Sequence, residues 1–212
     1  MLDSSRNIAL ACALSALAGF VDAIGFLHLG GLFVSFMSGN STRMGVSLAD
    51  GNFQPAAEAL GLIALFVIGA AGGSLIVLGR SRYAQCRVLL AEGLLLAAAA
   101  LFYAAGHEGL AVAAIVLAMG TENAVFQIDG GAGLGLTYVT GALVKVGQLI
   151  AAALTGGARF GWVPNLLLWA ALVVGGVCGT LAYRGLNLAA IWFAAAAALA
   201  LSAWVASSAK RA

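Results

Sequence analysis

Charge is scarce in this sequence: Asp, Glu, Lys and Arg together make up 8% of its 212 residues. A soluble domain carries roughly 25%. With 63% of the residues hydrophobic, water could not solvate the surface. The chain reads as a polytopic membrane protein with the lipid bilayer as its solvent, and no segment is left over for a separate soluble domain. Its net charge of +2 is scattered along the chain, so there is no basic patch for nucleic acid. The three cysteines, Cys12, Cys86 and Cys178, lie in or beside apolar runs and read as free small hydrophobes. His28 and His107 are single and sit at span ends, so no metal site is expected. No H-E-x-x-H, G-x-S-x-G or Walker motif occurs, and neither an enzyme nor a cofactor is expected. The run Gly130 to Gly135 lacks the G-x-G-x-x-G spacing and reads as a flexible entry to the segment after it. The only two prolines, Pro55 and Pro164, stand just before apolar runs, where proline suits a helix start.

Long apolar stretches are what the sequence does have. A spanning helix takes about 20 apolar residues. Six runs meet this: 7–29, 56–79, 88–105, 109–128, 163–183 and 188–207. The first reads as a mature transmembrane helix, not a cleaved leader. Two further runs, 32–49 and 133–155, are interrupted by Gly39 or Gly141 and carry Arg43 or Lys145. If both crossed the bilayer, Arg80, Arg82, Arg87 and Arg184 would oppose Arg6, Arg159, Lys210 and Arg211 with no bias. If neither crosses, all of these except Arg184 lie on one side. The preference of Lys and Arg for the inner face selects the second arrangement, with both termini cytoplasmic.

A motif occurs twice. Gly19 and Asp22 recur as Gly120 and Asn123, at an offset of about 101 residues. Ser38-Gly39 and Arg43 recur as Thr140-Gly141 and Lys145, at about 102. Further on, Gly69 and Gly73-Ser74-Leu75 match Gly175 and Gly179-Thr180-Leu181, small-residue faces suited to close helix packing. The expected fold is therefore all-α, with six transmembrane helices and two re-entrant segments. One repeat is 1–106 (spans 7–29, 56–79 and 88–105, re-entrant 32–49). The other is 107–212 (spans 109–128, 163–183 and 188–207, re-entrant 133–155). An odd number of crossings per half makes the repeats inverted, a recurring transporter architecture.

Polar groups inside such runs mark candidate sites. In the first re-entrant segment, Ser38-Gly39-Asn40 is expected to break the entering chain, with Ser41, Thr42 and Arg43 on a short returning helix. Thr140, Gly141 and Lys145 repeat this from the other side. Asp22 and Asn123 face them from the preceding spans, with Glu122 beside Asn123. Asp22 and Glu122 are expected to balance Arg43 and Lys145. Glu92 is read as an inner-end residue reaching Arg87 or water. Cations and helix N-termini favour an anion or carboxylate, and buried acids can carry protons. The expected function is a small-solute transporter or channel, with a proton as a further partner and a homo-oligomer as a possible state. Two other readings stay open: ion pairs that only fix helix register, and a non-transporting assembly or sensor subunit.

The blocks Gly19-Phe-Val-Asp22-Ala-Ile-Gly-Phe, Phe36-Met-Ser38-Gly39-Asn40 and Thr137-Tyr-Val-Thr140-Gly141 resemble the YoaK-like family of bacterial membrane proteins, catalogued as a domain of unknown function. The resemblance covers nearly the whole chain. It implies an integral protein of the bacterial cytoplasmic membrane with about six helices, and it brings no substrate or catalytic residue. Ala142 stands where the first half has Asn40, so the two re-entrant tips need not do the same job.

Overall fold

The computed structural model describes residues 5–79, 81, 83–127 and 139–209. Arg80, Arg82, Lys210, Arg211, the Gly130 to Gly135 run and Thr137 lie outside them. Among the described residues there are helices and turns and no strand. In chain order the helices are α1 (Ser5–His28), α2 (Met37–Ala49), α3 (Phe53–Leu78), α4 (Ala84–Ala104), α5 (Glu108–Glu122), α6 (Val139–Leu154), α7 (Val163–Leu186) and α8 (Ile191–Ala209). Four stretches are long and apolar enough to cross a membrane: Arg6–His28, Phe53–Leu78, Ala84–Ala104 and Val163–Ser208. The last bends at Asn187, which has φ 52°, and a short 3-10 turn, Asn187–Ala190, separates α7 from α8.

Two boundaries differ from the sequence reading. The run 109–128 was expected to be helical throughout, but α5 stops at Glu122. Beyond it the amides of Ala124, Val125 and Gln127 bond three residues back, to Thr121, Glu122 and Ala124, so the helix tightens into turns. At roughly 1.5 Å per residue α5 is about 22 Å long, short of the roughly 30 Å hydrocarbon core. The second difference is in 32–49. Ser38-Gly39-Asn40 does not break the chain: the helix already begins at Met37, and the irregular stretch precedes it. Positive φ at Gly30 (62°) and Gly31 (100°) turns the chain out of α1, a backbone state glycine adopts without strain.

Helix–helix contact runs through small residues. A Cβ on Gly69 would strike the Leu117 carbonyl, one on Gly73 the Thr121 carbonyl, and one on Gly120 the Phe66 carbonyl. These contacts press α3 onto α5. In α7 and α1, Gly175 stands against the Ala16 carbonyl, Gly179 against that of Phe20, and Gly19 against that of Leu172. Lipid removes most of the hydrophobic drive between helices, so close backbone approach and interhelical hydrogen bonds hold the bundle. Thr121 Oγ1 donates to the Gly69 carbonyl at 3.1 Å. Ser15 Oγ donates to the Leu168 carbonyl at 2.9 Å, and Ser202 Oγ to the Cys86 carbonyl at 2.9 Å.

These contacts also set helix direction. Gly69 and Gly73 meet Leu117 and Thr121 in the same order, so α3 and α5 are parallel; Gly175 and Gly179 meet Ala16 and Phe20 likewise, so α7 and α1 are parallel. Cys86 and Gly93 meet Ser202 and Leu199 in opposite order, so α4 and α8 are antiparallel. Gln85, at the start of α4, donates to the Val125 carbonyl just past α5. His28, closing α1, lies edge-on to Tyr103, near the end of α4, and to Tyr183 of α7. Thus α1, α4 and α7 run one way and α3, α5 and α8 the other. Residues 29–52, with α2 among them, leave and return to one face of the bundle. The core is filled from α1, α4, α5 and α8 by Leu10, Leu14, Ile24, Leu89, Leu96, Ile115, Met119 and Ile191. No residue of α6 is buried.

Candidate functional site

The irregular stretch between α1 and α2 needs partners for its backbone, because unpaired N–H and C=O groups away from water are costly. Two side chains supply them. Asp22 Oδ1 accepts from the amides of Val34 and Ser35 at 2.9 and 2.8 Å. Its Oδ2 accepts from Ser35 Oγ at 2.6 Å. Asn40 is fully buried; its Oδ1 accepts from the Phe33 amide at 2.8 Å and its Nδ2 donates to the Phe33 carbonyl at 2.7 Å. Asp22 is six residues short of the end of α1, so at about 1.5 Å per residue the stretch dips roughly 9 Å back along the helix.

The expected ion pairs are not formed. Arg43 Nη1 donates to the carbonyls of Gly31 and Gly30 at 2.7 and 3.3 Å, closing the glycine turn. A guanidinium fits this because it offers several donors in a fixed plane. Lys145 is exposed on α6. The Glu122 carboxyl is fully buried with no hydrogen-bond partner among the described residues. Ser41 and Thr42 donate to the carbonyls of Met37 and Ser38 within α2 and are exposed. Ser38 is also exposed, and Gly39 lies under the rings of Phe33 and Phe36. Asn123 Nδ2 donates to the Met119 carbonyl at 2.9 Å. Gly141 is half-buried next to Thr140.

What the structure does bring together is a cavity of about 640 Å³ between α1, the irregular stretch, the start of α6 and α7. Its polar side chains are Asp22, Ser35, Thr140 and Thr180, set among apolar walls such as Phe26, Phe33 and Leu172. Of the residues picked out from sequence, Asp22 and Thr140 line it. Ser38, Asn40, Arg43, Glu122 and Lys145 do not. Residues from both interrupted runs meet here: Ser35 and Phe36 before α2, Val139 and Thr140 opening α6. A second cavity of about 480 Å³ shares Ala23, Val173, Gly176 and Thr180 with the first and reaches Arg184 near the end of α7.

Ser35, Thr180 and Arg184 were not among the sequence candidates. Thr180 had a signal, because the matched Gly179-Thr180 and Gly73-Ser74 pairs place hydroxyls at equivalent points, but these were read as packing. Glu92 was misplaced. It does not reach Arg87 or water; it is fully buried, with neither carboxyl oxygen partnered among the described residues. No group of three or more His, Cys, Asp or Glu among the described residues is placed to hold a metal ion.

Apolar helices of spanning length and small-residue packing, with a half-open cavity between helices, define a multi-pass α-helical membrane protein. The family described as "Protein of unknown function (DUF1275)" matches residues 10–204, and the chain belongs to that family, the YoaK-like family it resembled in sequence. It is similar to the "UPF0700 transmembrane protein RA0705" of Rhizobium meliloti (strain 1021), at 37% identity over 200 residues, covering 94% of this chain and 86% of that protein. No solved structure matches the chain.

Proposed function

We propose that the protein moves a small solute across the bacterial cytoplasmic membrane through the cavity between α1, α6 and α7. The observation that carries this is the meeting of both interrupted segments at one space, with Ser35 from the first and Thr140 from the second in its wall. In this reading six helices cross and residues 32–49 and 133–155 re-enter, one from each face, with both termini inside. The helix directions support it, since α1 ends where α3 begins. The glycine contacts support inverted repeats: at the sequence offsets, each α3–α5 contact becomes an α1–α7 contact, Gly69 on Leu117 answering Gly175 on Ala16.

The wall describes the solute. It is mostly apolar, with three hydroxyls and one carboxyl. Arg43 and Lys145 supply no charge to it. The N-terminus of α2 lies at its edge and favours electron-rich groups. Arg184 at the adjoining cavity adds a cation on the approach. The fit is a small, largely apolar molecule carrying one carboxylate or other hydrogen-bond acceptor.

Proteoliposomes of the full chain, tested with acetate, methylammonium and glycerol, check this. Acetate should enter faster than into protein-free liposomes, and Thr180→Trp, which fills the cavity, should abolish the difference with the fold retained. Equal rates with and without protein for all three solutes, or unchanged flux in Thr180→Trp, would sink the reading.

A further inference from the structure

Glu92 and Glu122 belong to neighbouring packed helices, α4 and α5, and both are fully buried. None of their four carboxyl oxygens has a hydrogen-bond partner among the described residues. Glu122 lies within electrostatic reach of both Glu92 and Asp22. Asp22 in turn lines the cavity. The buried pair is thus electrostatically linked to the Asp22 carboxyl in the cavity wall.

Among the described residues, the surroundings offer no countercharge. The described part of α8 and the turn before it carry no titratable side chain. The only one on α3, Glu58, is exposed and accepts from Gln54. On α4, Arg87 is exposed and Cys86 contacts Ser202, while Tyr103 packs on His28. On α5, Glu108 is exposed at the helix start. On α1, His28 is held by Tyr103 and Tyr183, and Arg6 and Cys12 lie turns away from Asp22. Two isolated carboxylates in such a medium would be prohibitively costly. A proton on each carboxyl resolves this by neutralising a group that has no partner to share its charge.

We infer that Glu92 and Glu122 form a buried proton-binding site beside the cavity, filled and emptied through Asp22. The exchange is proton transfer alone: one carboxyl O–H bond breaks as the next forms, and no redox partner is required. Its use in driving solute movement rests on the transport reading; its existence does not.

Infrared spectroscopy of the full chain in proteoliposomes, without solute, tests the site. A carbonyl band of a protonated carboxylic acid is expected at neutral pH, shifting in heavy water and weakened in both Glu92→Gln and Glu122→Gln. In Asp22→Asn the band should persist while its hydrogen–deuterium exchange slows. No such band in the unaltered protein, which needs no variant to fold, overturns the site. So does a band left unchanged by either glutamine substitution. An exchange rate in Asp22→Asn equal to that of the unaltered protein removes Asp22 from the route. A chain that moves none of the three solutes but shows the band keeps the proton site and loses only the transport reading.

Discussion

Asp22 grips Ser35 twice, accepting its amide at one carboxyl oxygen and its hydroxyl at the other. A helix residue thereby holds a non-helical segment at a fixed depth, and the cavity wall is built from both partners. Asp22→Asn keeps one acceptor oxygen and should lower stability moderately. Asp22→Ala leaves the amides of Val34 and Ser35 without acceptors, at about 1–3 kcal/mol for each orphaned group. The expected order of thermal unfolding temperatures in detergent is unaltered protein, then Asp22→Asn, then Asp22→Ala. Equal temperatures for all three would show that the segment is held by something else.

Asn40 does for Phe33 what a strand neighbour would do, pairing with both its N–H and its C=O. Asn40→Asp preserves the acceptor but puts an oxygen against the Phe33 carbonyl. It should therefore destabilise at least as much as Asn40→Ala, by roughly 1–3 kcal/mol. Denaturant or thermal unfolding of the two variants checks this ordering. Arg43→Gln acts on the neighbouring turn and is expected to cost less, since Arg43 is exposed and the Gly30–Gly31 carbonyls can turn to solvent. Its solute preference should match that of the unaltered protein, because Arg43 is outside the cavity.

Glycines separate packing from chain flexibility. A methyl at Gly69 meets the Leu117 backbone, whereas one at Gly61 meets nothing within 4 Å. Both positions are helical, so alanine improves intrinsic helix propensity at each, by up to about 1 kcal/mol. Gly61→Ala should be neutral or stabilising. Gly69→Ala and its counterpart Gly175→Ala should each lose at least about 1–3 kcal/mol through overpacking, read as a lower yield of folded protein and a lower unfolding temperature. Matched losses at Gly69 and Gly175 would also be the energetic signature of two equivalent halves.

Much of this was legible before any coordinates. Apolar run lengths marked the helices α1, α3, α4, α7 and α8, because lipid demands length and hydrophobicity together. The polar residues Asp22 and Thr140 stood out for the same reason, and they line the cavity. Partners were harder. Arg43 was expected to seek an acid, but the glycine turn offers it bare carbonyls closer by, which a list of charges does not reveal. Glu92 was read by its distance from a helix end. Its burial depends on which face of α4 meets α5, and α4 is apolar nearly all round, so no periodic pattern points that face inward. The early stop of α5 was hidden too, since Ala124, Val125 and Phe126 continue the apolar run while the amides of Ala124, Val125 and Gln127 switch to three-residue spacing.

The direction of the helices makes the sharpest prediction. His28, Asn52, His107 and Arg184 all stand at the end of the bundle where α1, α4 and α7 finish. Gln85, Val125 and the residues just before α7 stand at the other. In the proposed topology these ends face opposite compartments. With Cys12, Cys86 and Cys178 replaced by serine, single cysteines at Asp50, His107 and Arg159 can be labelled in intact cells by a membrane-impermeant maleimide. Asp50→Cys and His107→Cys should label from outside and Arg159→Cys only after permeabilisation. If α2 instead crossed the bilayer, Asp50 would exchange sides relative to His28, and α3 would have to run parallel to α1. That would place Gly69 and Gly73 against α5 in reversed order, contrary to their contacts with Leu117 and Thr121. Labelling of Asp50→Cys and Arg159→Cys from one side would therefore contradict the packing of α3 on α5 as well as the re-entrant path of residues 32–49.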